Sequence, residues 1–175
     1  MPLDRFFLDY RKTALQPGEI LTSVEVPVPD PALRMGAYKV SKRRELDISA
    51  VCAGFALCLD AQDCVADIRL CYGGMAATTA RASHTEQALI GKPWNEAAIE
   101  AAVGMLARDF KPMDDQRGSA WYRATLAGNL LRGFYLETLE KPFRINTAGI
   151  HTHSVPDLNA AAALVNVTVN AEHGL

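Results

Sequence analysis

Four stretches of the chain alternate apolar and polar residues, and three later ones repeat at helical spacing. In 19–27, EILTSVEVP, Ile20, Thr22, Val24 and Val26 share one face and Leu21, Ser23 and Glu25 the other. That alternation predicts a half-buried strand, stopped by Pro27. A second strand is predicted over 36–43, with Tyr38 and Val40 on one face and Lys39 and Ser41 on the other. A third, 48–59, carries Val51, Ala53, Phe55, Leu57 and Leu59 at its odd positions. Its even positions hold only the small residues Ala50, Cys52, Gly54, Ala56 and Cys58. One face therefore packs into a core, and the other admits a close neighbour. A fourth strand, 65–72, turns Ala66, Ile68, Leu70 and Tyr72 inward. The short link between the third and fourth strands implies an antiparallel hairpin.

After Gly73-Gly74 the period changes. A short helix is expected over 84–90, ended near Gly91 and Pro93. A second, 96–109, has Ile99, Val103, Leu106 and Phe110 at helical spacing and Asn95 as N-cap. A third, 119–140, has Ser119 as cap and Leu126, Leu130, Leu131, Phe134 and Leu139 as core positions, with Pro142 as its stop. Strands first and helices afterwards predict an α+β fold: an antiparallel sheet of three to four strands, packed on one face by about three helices. Gln16-Pro17-Gly18 reads as a turn. The tail, 141–175, has no clean period and is expected to be loosely attached or disordered beside a domain over 1–140.

Composition adds exclusions. The 175 residues are 49% hydrophobic and 22% charged, which suits a globular chain and is too apolar for a disordered one. Net charge is −2, so no strong basic field exists to hold nucleic acid or an anionic membrane. No apolar run reaches the roughly 18–20 residues of a membrane span. Met1-Pro2-Leu3-Asp4-Arg5 does not open a signal peptide. A cytoplasmic protein is the expectation.

Candidate chemistry is sparse. Cys52, Cys58, Cys64 and Cys71 form no CxxC pair and read as buried free thiols. Gly73-Gly74-Met75 is too short for a dinucleotide loop and reads as a turn needing positive φ. His151 and His153 are too few to define a metal site, and His84 and His173 are isolated. No GxSxG nucleophile motif is present. Lys42-Arg43-Arg44-Glu45 reads, on charge alone, as a solvated loop; the alternative is a loop facing a phosphate or carboxylate. Leu21 and Lys39 both fall on the polar side of amphipathic strands. An apolar contact beside a flexible cation suits a planar aromatic with polar edges, such as a flavin.

Four stretches in order resemble one family: FFLDYRKTALQPGEILTSVEVP (6–27), YKVSKRRELDISAV (38–51), IRLCYGGMAATTARA (68–82) and WYRATLAGNLLRGFYLETL (121–139). Together they resemble the C-terminal domain of the FAD-binding part of xanthine dehydrogenases. The same domain ends the medium flavoprotein subunit of carbon monoxide dehydrogenase and related molybdenum hydroxylases. YRKT-x-L-x-P-x-E, YK-x-S-x-R-x-x-x-DI and LCYGGMA carry the resemblance, and FF-x-x-YRKT with CYGGMA favours the xanthine dehydrogenase branch.

The resemblance implies an α+β domain that clamps FAD together with an N-terminal flavin domain. It implies electrons arriving from a molybdopterin centre through two [2Fe–2S] clusters housed in other domains or subunits, and NAD as acceptor. Purine catabolism follows from the xanthine dehydrogenase branch. By the same resemblance Lys39 matches a lysine near the flavin ring and Leu21 a leucine that touches it. An ammonium at the ring's polar edge favours a negatively charged reduced flavin. Residues 44–47 match a loop near the nicotinamide; Leu46 stands where some members carry Asp, and Asp47 has either a structural or a ligand role. The chain begins where that C-terminal domain begins, so a domain fragment is expected, inactive alone and unable to bind FAD tightly. The alternatives are a related carbon monoxide, aldehyde or heterocycle dehydrogenase, and a stand-alone assembly module without catalysis.

Overall fold

A computed structural model describes residues 1–43, 46–140 and 164–167. The chain divides into two compact units, Met1–Pro31 with Ile145–Leu175, and Ala32–Arg144.

The first unit opens with a 3-10 turn, Leu3–Arg5, and a small hairpin of β1 (Phe7–Asp9) and β2 (Lys12–Thr13). The Gln16-Pro17-Gly18 turn forms as expected: Glu19 N donates to Gln16 O at 3.0 Å, and Gly18 takes φ +85°. The strand predicted over 19–27 is shorter. Only β3 (Val24–Pro27) is extended and paired, and its partner is β8 (Leu164–Val167), antiparallel from Val24↔Val167 to Pro27↔Leu164. Ile20 and Val26 are exposed, so the alternation there does not mark a face sunk in a core. Apart from β8, which the sequence did not announce, the tail with His151, His153 and His173 lies outside the described residues.

The second unit holds the main fold. Strands β4 (Arg34–Val40), β5 (Val51–Leu59), β6 (Val65–Gly73) and β7 (Ala80–Arg81) form an open antiparallel sheet in that order. Three helices follow: α1 (Ser83–Leu89), α2 (Glu96–Asp109) and α3 (Ala120–Glu140). The α+β class, the β5–β6 hairpin and the three helices match the reading of the sequence. The core joins the odd positions of β5 to the helices. Phe55 stacks edge-on against Tyr72 at 5.1 Å and tilts against Phe134 of α3 at 5.5 Å. The Tyr72 hydroxyl donates to Ala127 O at 3.1 Å, so its buried polar end is satisfied.

Two core assignments change. Ala66 is exposed and Val65 buried, because a bulge makes Leu59 pair with Val65 while Cys58 pairs with Asp67. The extra residue reverses the alternation there. Leu139 is 58% exposed, on the outer side of the last turn of α3.

The caps follow the sequence at two helices. The Asn95 side chain accepts from Ala98 N at 2.9 Å, and the Ser119 hydroxyl accepts from Tyr122 N at 3.1 Å. Helix α1 is capped from afar: Asp109, at the end of α2, accepts from His84 N at 2.8 Å and Thr85 N at 3.0 Å. Glu86 ties α1 to the sheet, accepting from Leu70 N at 2.7 Å and from Arg81 Nη2 at 2.7 Å. Strand β7 is too short to pair all of β6, and this carboxylate takes the amide it leaves free.

Candidate functional site

The helices cover only one face of the four-stranded sheet. The pairs Lys39↔Cys52, Cys52↔Gly73, Ala37↔Gly54 and Gly54↔Cys71 lie on the other. That open face is lined at its centre by small residues, as the even positions of β5 foretold. Gly73 is explained from within: a Cβ there would run into Cys52 Sγ. Gly54 is not. It is exposed in the middle of a central strand, and a Cβ built on it meets no described atom within 4 Å. Glycine in a strand interior costs about 0.5–1 kcal/mol against alanine. No packing among the described residues requires it.

Lys39 stands on β4 at the border of that smooth surface, exposed and without an ion-pair partner among the described residues. Leu21 is placed differently from expectation. It lies outside any strand, in the first unit, and is 45% exposed. The strand-face argument that joined it to Lys39 therefore falls, because the segment before Val24 is not extended pairing strand. The four cysteines are free, as expected, but half-buried rather than buried. Cys52 and Cys71 sit on the open face, and burial pushes the Cys71 thiol up, away from reactivity.

The loop from β4 to β5 makes the rim of a cavity of about 500 Å³. Ala50 N donates to Val40 O at 2.8 Å and closes the loop's base. Asp47 has a structural role: its carboxylate accepts Arg43 N at 3.1 Å, and that bond holds its carboxyl below the usual range. Leu46 is 97% exposed with φ +51°, while Arg44 and Glu45 lie outside the described residues.

The opposite wall comes from the turn before α3, which the sequence reading missed. Asp115 accepts from Arg117 N at 2.8 Å and Gly118 N at 3.1 Å, an Asx turn whose Asp-x-x-Gly spacing was the available signal. Buried Arg123 on α3 holds this turn to the sheet. It donates to Asp115 Oδ1 at 2.6 Å, to Gly74 O at 2.7 Å and to Ala50 O. The guanidinium keeps the Asp115 carboxyl down at about 2. Gly74 takes φ +81°, the positive value expected of Gly73-Gly74-Met75, and its Cα side is filled by the Ala50 carbonyl.

The CO dehydrogenase flavoprotein C-terminal domain matches residues 36–138. The chain belongs to that family. Over 141 residues it is 37% identical to the xanthine dehydrogenase/oxidase of Gallus gallus, covering 79% of this chain and 10% of that protein. It is 37% identical over 141 residues to the nicotinate hydroxylase of Emericella nidulans, covering 77% and 10%. Among solved structures, carbon monoxide dehydrogenase from Hydrogenophaga pseudoflava superposes with a TM-score of 0.67 at 26% identity, covering 74% of this chain and 45% of that one. Quinoline 2-oxidoreductase from Pseudomonas putida 86 superposes with 0.67 at 25%, covering 76% and 45%. These relatives are oxidoreductases, and the chain spans about a tenth of the length of the curated ones. The matched segment contains the four-stranded sheet from Gly36 on, helices α1 and α2, and α3 as far as Thr138.

Proposed function

We propose that this chain is the C-terminal part of the FAD-binding component of a xanthine dehydrogenase-like molybdenum hydroxylase, and that the open sheet face is its cofactor-facing surface. The observation that carries this is Gly54: an exposed glycine at the centre of the sheet, required by no described residue around it, on the face where Lys39 lies. A surface of mostly small side chains with a cation at its border fits a planar ring with polar edges. The group would supply electron transfer when bound. Lys39 would place a positive charge at the ring's edge; for Leu21, in the first unit, a flavin contact is proposed on the family resemblance alone. FAD would be shared with an N-terminal flavin domain, electrons would arrive from [2Fe–2S] clusters and a molybdopterin centre elsewhere, and NAD would be the acceptor. This chain alone would be inactive.

The substrate is a matter for the rest of the protein. A xanthine dehydrogenase and a nicotinate hydroxylase share the same 37% identity with this domain. A domain equally close to both does not distinguish a purine from another heterocycle.

The test is Gly54→Val in the complete flavoprotein. Valine suits a strand and meets no obstacle among the described residues, so the variant should fold with thermal stability equal to or slightly above wild type. Its flavin-to-protein absorbance ratio should fall at least severalfold. A fully flavinated Gly54→Val enzyme would remove the basis of the proposal.

A further inference from the structure

We infer that Cys52 and Cys71 form a two-thiolate site for a soft monovalent cation of the Cu(I) class on the open face of the sheet. Register pairs Cys52 with Gly73 and Gly54 with Cys71. The two thiols therefore occupy one diagonal of a four-residue block, and glycines occupy the other. Neither remaining corner of the block carries a side chain. The Cys52 sulfur leans toward β6, the strand that carries Cys71: a Cβ built on Gly73 would lie 2.5 Å from it. Both cysteines are free and half-buried, and Gly54 beside them is exposed, so the block is open to a small ion. The other two thiols are turned to carbonyls, Cys58 to Leu59 O at 3.9 Å and Cys64 to Gln62 O at 3.8 Å. Cys52 and Cys71 have no hydrogen-bond partner for their thiols among the described residues.

The spacing decides what can join them. Diagonal Cβ atoms of an antiparallel pair are roughly 7–8 Å apart or slightly less. A disulfide needs roughly 3.5–4.5 Å. An ion held between the sulfurs adds two metal–sulfur bonds, each about 2.3 Å in zinc thiolates, and spans the larger gap. Thiolates select soft ions such as Cu(I). Among the described residues no group of three or more His, Cys, Asp or Glu side chains could hold a metal, which disfavours the four ligands that zinc takes. Binding forms two sulfur–metal bonds and releases two thiol protons to solvent, with no change of oxidation state. The proton that burial holds on Cys71 is displaced by the ion. Two thiolates and one monovalent cation leave a single negative charge. Lys39 is the register partner of Cys52 and Arg81 that of Cys71, so a basic residue flanks each cysteine on the same face. Arg81 is already paired with Glu86, and Lys39 supplies the uncompensated charge. This inference does not rest on the flavin proposal, and its test uses the chain without flavin.

That test is anaerobic titration of the reduced full chain with Cu(I), supplied as its acetonitrile complex, against a chromogenic Cu(I) chelator. Retention of one ion per chain is expected. Cys52→Ser and Cys71→Ser should each weaken retention at least tenfold, and Cys58→Ser and Cys64→Ser should leave it unchanged. Circular dichroism melts of each variant separate loss of binding from loss of fold. The wild-type chain gives a second reading that needs no substitution. Bound Cu(I) should protect Cys52 and Cys71, but not Cys58 and Cys64, from alkylation by N-ethylmaleimide, read by peptide mass spectrometry. No retained ion, equal weakening in all the variants, or equal protection of every thiol would overturn the site.

Discussion

Arg123 shows how one buried side chain can set a cavity wall. Replacing it with methionine keeps most of its volume but leaves the Ala50 and Gly74 carbonyls without their donor. Each buried unsatisfied group costs about 1–3 kcal/mol. Arg123→Met should therefore lower the midpoint of urea unfolding with the slope unchanged, and an unchanged midpoint would show that water replaces the guanidinium. Phe55 is 2% exposed and touches three other rings, so Phe55→Ala should cost about 3–5 kcal/mol. A near-zero change would mean that the faces of β5 are reversed. Asp109 makes stability depend on pH. Burial opposes its charge, but donations from Thr85 and His84 outweigh burial and hold the carboxyl below its ordinary value. A carboxyl depressed in the folded state contributes fully above its unfolded value, near 4, and the contribution fades as pH falls through the folded one. Asp109→Asn should thus lower the melting temperature at pH 7, with a gap from wild type that narrows below about pH 4. A gap independent of pH would contradict this assignment.

At the scale of elements, legibility followed from how local each cause is. The faces of β5 were readable because every second residue is large and every other one small. The Asn95 cap was readable because its acceptor and donor lie three residues apart; Asn95→Ala should cost about 1 kcal/mol, measured by thermal melts against wild type. The α1 cap was not readable, because Asp109 comes from 25 residues away. The bulge at Ala66 was equally hidden: inserting one residue leaves composition untouched while inverting the faces beyond it. The segment before Val24 shows the opposite error. Its alternation is as regular as that of β5, but pairing sets a strand, and β3 is paired only from Val24 to Pro27. Half of the candidate site was therefore visible. Lys39 stands on the face the alternation gave it, Leu21 was placed on a strand it does not join, and the wall of Gln116 and Arg117 was missed.

For the whole molecule, family membership rests on a match across 36–138, and fold and family agree. No helix among the described residues is long and apolar enough to cross a membrane. We propose that the face of the sheet left open by the helices meets a flavin, with Lys39 at the border. The most direct measurement is the flavin midpoint potential in the complete enzyme carrying Lys39→Ala. Lys39 is exposed, so the variant should fold and retain flavin, and loss of the positive charge should move the potential negative. A variant with native flavin content and an unchanged potential would contradict the claim that Lys39 lies at the ring.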